Sequence, residues 1–94
     1  MPVTTVNSAA GTVQVKLGSG VIRNIEGVSA GTSYTFQAKD GPDAAGGTVT
    51  LIGAAAIPVV AGVRWVDPIA PIPFRNGLQI VVTGTPGELF VQWD

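Results

Sequence analysis

Breaks come too often along this chain for it to build helices. Thirteen glycines and seven prolines fall within 94 residues. In a helix interior, glycine costs about 1 kcal/mol and proline about 3 kcal/mol relative to alanine. Val, Ile and Thr dominate the runs between the breaks, and their branched side chains suit a pleated strand better than a helix. Short strand formers separated by turn formers predict an all-β fold: a small single-domain antiparallel β-sandwich or partly open barrel of about 6–8 short strands.

Alternation assigns the faces. Residues 1–11 read as a loosely held, extended N-terminal arm, with a single β domain over 12–94. In Thr12–Leu17 the period of two places Val13, Val15 and Leu17 on one face. Gly18-Ser19-Gly20 turns the chain into a second strand, Val21–Glu26, whose alternation is imperfect. Ser33–Lys39 gives the clearest pattern, with Tyr34, Phe36 and Ala38 inward. Asp40–Gly47 has turn chemistry, and Thr48–Ile52 returns as a strand. Gly62–Val66 reads as a further strand. Pro68–Pro73 lacks amide donors for a full ladder and reads as an extended edge or polyproline-like segment. Leu78–Thr83 is a strand. Pro86-Gly87 suits the centre of a type II turn, which predicts a closing hairpin with Leu89, Val91 and Trp93 on one face.

Composition excludes several functions. The chain has no cysteine and no histidine, which removes disulfides, thiolate metal sites and the commonest neutral-pH general base. Glu26 aside, the six acidic residues lie in or beside turns or at the last position, the placing of solvated or turn-capping carboxylates. Asp40-Gly41-Pro42-Asp43 lacks the alternating oxygen ligands and distal glutamate of a helical calcium loop. Gly18-Ser19-Gly20 lacks the third glycine and the helix of a dinucleotide fingerprint. No enzyme activity, metal or cofactor is expected. The five basic residues, Lys16, Arg23, Lys39, Arg64 and Arg75, are scattered, so nucleic acid is not an expected partner. Leu51–Val63 is too short for a helical span and holds Gly53, Pro58 and Gly62, so no membrane is expected either. Residues 1–5 lack the features of a signal peptide, which fits synthesis in the cytoplasm.

What remains is adhesion. Charged residues make up 12% of the chain, against roughly 25% in an ordinary soluble domain, so part of the surface is expected to be covered in the working state. Ile57-Pro58-Val59-Val60 and Pro68–Ile72, with Ile69 and Ile72, are uncharged apolar loops. Such loops either fold over a small core or form a contact patch, and the low charge favours the patch. Arg64 and Trp65 belong to residue types enriched at interface hot spots. Val3 and Val6 of the arm complete the candidate partner-binding set.

Lys39-Asp40-Gly41-Pro42 through Gly47-Thr48, the run Pro71–Val91 with Asn76-Gly77-Leu78 and Val82-Thr83-Gly84-Thr85-Pro86, and the opening Gly20-Val21-Ile22-Arg23-Asn24-Ile25 together resemble small β-rich proteins of tailed-phage structural gene clusters. The resemblance covers roughly residues 20–94. It implies a virion component made in the host cytoplasm, a capsid decoration (cement) protein on the capsid exterior or a head or tail appendage. The implied partners are the major capsid protein and copies of the chain itself, as a homo-oligomer, a trimer. Members carry no known catalytic residues, so none is transferred. The alternative is a glycan-binding or connecting module of a head fibre, tail fibre or baseplate, with Trp65 as a stacking residue.

Overall fold

The strand-forming runs pair entirely antiparallel. The computed structural model describes residues 2–41, 49–66 and 69–94. Among these lie nine strands: β1 Val3–Val6, β2 Gly11–Leu17, β3 Gly20–Ser29, β4 Thr32–Asp40, β5 Val49–Pro58, β6 Arg64–Val66, β7 Ile72–Phe74, β8 Gly77–Thr85 and β9 Glu88–Trp93. One sheet runs β1-β9-β3, with β6 and β7 sharing the far edge of β3, and the other runs β2-β8-β4-β5. The architecture is thus two stacked sheets rather than a closed barrel, with nine strands where about eight at most were expected.

The core lies between the sheets. Tyr34, Phe36 and Ala38 on β4, Leu78, Ile80 and Val82 on β8, and Leu89 and Val91 on β9 are buried, as their alternation predicts. Phe36 stands edge-on to Trp65 across the sandwich, with ring centroids 4.8 Å apart at 64°.

Two bulges explain where alternation misleads. The β2–β8 register slips between Gln14 and Lys16. An extra residue in a strand reverses the faces of those that follow. Lys16 therefore turns toward the aromatic residues, its Nζ 5.9 Å from the Phe74 ring centroid and 5.4 Å from that of Trp93. Leu17, expected inside, is exposed. A similar slip between Ile22 and Asn24 on β3 lets Ile22 and Ile25 both be buried.

The N-terminal arm is corrected. Val3–Val6 is an edge strand of the first sheet, with Val3 opposite Gln92 and Val6 opposite Leu89. The Trp93 indole N–H donates to Thr4 Oγ1 at 3.2 Å. The domain therefore begins at Val3 and not at Thr12. The closing hairpin is corrected as well. β8 and β9 lie in different sheets, and Gly87 lacks the positive φ that a type II turn requires. Pro86-Gly87 is a corner carrying the chain from one layer to the other.

The Pro-rich segment behaves as an edge. Pro73 sits in β7, opposite Val21, on the outer flank of β3, where its missing N–H costs no ladder bond. Asp43, Pro42 and most of the 40–47 loop lie outside the described residues, as do Thr48, Asp67 and Pro68.

Candidate interaction surface

The predicted partner-binding residues divide into three groups. Val6 and Val59 are core residues, 2% and 3% exposed, and are withdrawn from the surface set. Val6 is drawn inward by pairing beside Leu89, and the Val59 N–H donates to the Tyr34 carbonyl at 2.8 Å. Ile57, Trp65 and Ile72 are half-buried and packed against the core. Ile57 and Pro58 end β5 rather than forming a loop. Val3, Val60, Arg64 and Ile69 are exposed, Ile69 at 91%.

Arg64 is engaged. Its Nη2 lies 3.2 Å from Glu26 Oε1, with both side chains more than a third exposed. Pairs of this kind contribute about 0.2–1 kcal/mol. Arg64→Ala is therefore expected to shift the urea midpoint only slightly, and a loss above that range would show a larger structural role.

The exposed apolar residues acquire a pattern once the strand directions are known. Four connections meet at one end of the sandwich: Asn7–Ala10 between β1 and β2, the β3–β4 turn at Ala30-Gly31, Val59–Val63 between β5 and β6, and Pro86-Gly87 between β8 and β9. Residues 7–11, 27–33, 59–63 and 83–87 contain no charged side chain. Val28, Val60 and Val63 are exposed there, at 47%, 48% and 39%.

Backbone contacts knit these loops together. The Gly27 N–H donates to the Val63 carbonyl and the Gly62 N–H to the Gly27 carbonyl, both at 2.8 Å. A methyl at Gly27 would overlap the Val60 carbonyl oxygen, and one at Gly31, whose φ is +56°, would overlap the Thr85 carbonyl. The Tyr34 hydroxyl, its pKa pushed up by burial, donates to the Ser8 carbonyl at 2.8 Å and ties in the fourth loop. The result is a preorganised end with small side chains and no charge.

The opposite end collects the charges. Lys16 Nζ donates to the Ser19 carbonyl at 2.7 Å, and Arg23 Nε pairs with Asp94 Oδ2 at 3.2 Å. The Asp40 carboxylate accepts the N–H groups of Arg75 and Asn76, each at 2.8 Å. Burial pushes its carboxyl upward. The amides of Arg75, Asn76 and Gly77, with the Arg75 charge, outweigh that and hold it below the ordinary aspartate value. Asp40 is thus a buried cap on the β7–β8 corner, 35 residues away in sequence.

Among the described residues the surface holds no pocket, and no group of three acidic, histidine or cysteine residues could hold a metal ion. The fold and surface define an antiparallel β-sandwich with one charge-free end. No family model, no curated protein and no solved structure matches the chain.

Proposed function

We propose that this chain is a virion structural protein, a capsid decoration protein that clamps the outside of a phage head by adhering to the major capsid protein and to its own copies. The observation that carries the reading is the charge-free end, where four loops expose Val28, Val60 and Val63 on a rigid backbone. Rigid, neutral surfaces bind through shape and apolar area, with little ordering cost. The sequence resemblance to small tailed-phage β proteins supplies the setting.

The glycan-binding alternative is less well supported. Its proposed stacking residue, Trp65, is half-buried and spends a ring edge contact on Phe36, so less of the indole is free for a sugar face.

Reconstruction of virions from the phage that encodes the chain tests the proposal. Density for the sandwich on the capsid exterior, bridging major capsid subunits, is the expected result. A fully interpreted shell without it overturns the reading.

A further inference from the structure

We infer that the charge-free end is a homotypic interface whose occupant is the same end of a second copy of this chain. The inference deepens the proposed function, because it assigns one of the two partners of that reading to one surface.

Sheet edges are poor routes to self-association here. Unpaired edges invite another strand, and proteins blunt them with short strands, bulges, charges or proline. Each edge carries such a device. β1 has four residues. β2 has a bulge and Lys16, and β5 slips register twice against β4. The β6/β7 edge is broken into two three-residue strands, the second containing Pro73. Association is left to faces and ends.

Charge selects the occupant of this end. A partner charge placed against residues 7–11, 27–33, 59–63 and 83–87 would find no counter-charge in them and would lose its hydration without compensation. The matching surface must itself be neutral and apolar, which a second copy supplies by symmetry. Size is adequate too. The molecule measures 32 × 31 × 22 Å, so an end presents roughly 700 Å², close to the ~800 Å² per partner of a standard stable interface. The glycine-knitted loops need little ordering on contact, and the charged ends are left facing solvent.

Sedimentation equilibrium of the full chain tests this, with Val60→Lys and Val63→Lys as probes and Leu17→Lys as the control at the opposite end. The wild type and the control should self-associate at micromolar concentration, with affinity insensitive to sodium chloride, because no charges at the contact are screened. Each loop variant should weaken association about 100-fold or more by burying an unpaired ammonium. Its circular dichroism and melting temperature should stay those of the wild type, since both valines are exposed. A wild type that is monomeric throughout, or loop variants that still associate as the wild type does, would overturn the inference. A monomer that binds capsids through this end, with binding lost in Val60→Lys, overturns the homotypic assignment and leaves the decoration reading standing. An oligomer dissociated by Val60→Lys but absent from virions does the reverse.

Discussion

Phe36→Ala is expected to remove about 3–5 kcal/mol of stability, most of what a domain of this size holds. Phe36 is fully buried in β4, flanked by Val82 of β8 and Ile57 of β5. Its ring also reaches the other sheet through the edge contact with Trp65. Truncation leaves a cavity at the point where the layers are joined, and the rigid strands around it can collapse only in part. Urea unfolding followed by tryptophan fluorescence measures the loss. Because the variant can fail to fold, Phe36→Leu and Trp65→Leu, singly and together, provide a gentler check. Their double-mutant cycle should show a coupling of about 0.5–1.5 kcal/mol, the range for aromatic pairs beyond area burial. A coupling near zero would mean that Trp65 is not part of the core.

That contact also marks where reading the sequence succeeds and where it stops. Tyr34, Phe36 and Ala38 declare their face because β4 keeps its alternation across the core-forming stretch. Leu17 does not, because the bulge after Gln14 exchanges the faces beyond it, and nothing in Thr-Val-Gln-Val-Lys-Leu announces an extra residue. Val6 looks like part of a mobile arm until its partner is known to be Leu89, more than eighty residues away. Pro86-Gly87 has the chemistry of a tight turn, but turn chemistry is local and cannot tell which sheet the next strand will join.

The interaction surface was half legible for the same reason. Val60 stands in a conspicuous apolar run and was identified. The end to which it belongs is assembled from four short segments separated by long stretches of chain, each bland by itself. The available signal was the recurrence of Ala-Gly in uncharged surroundings, at Ala10-Gly11, Ala30-Gly31 and Ala61-Gly62. Only the strand order places those three dipeptides side by side. Asp40 shows the converse: it reads as a loop residue because its hydrogen-bond partners lie far along the sequence.

Asp40→Asn is therefore expected to cost about 2 kcal/mol at neutral pH and to flatten the acid limb of the stability curve. The ionised carboxylate accepts main-chain N–H groups from the β7–β8 corner, and bonds to a charged acceptor are stronger than those to a neutral amide. Asparagine keeps one oxygen acceptor and turns an NH2 group toward backbone donors. The folded carboxyl titrates below the ordinary aspartate value, so the unfolded chain takes up this proton first as pH falls. The contribution of Asp40 is thus fully present above the ordinary aspartate range. It is lost progressively as pH falls through that range to the lower folded value. Urea midpoints measured from neutral pH downward should show the wild type ahead of Asp40→Asn at first, with the two curves converging in acid. Parallel curves would mean that Asp40 is no more than a polar spacer. Convergence would identify its charge as the clasp that holds the β7–β8 corner against the end of β4, at the pole of the sandwich opposite the charge-free loops.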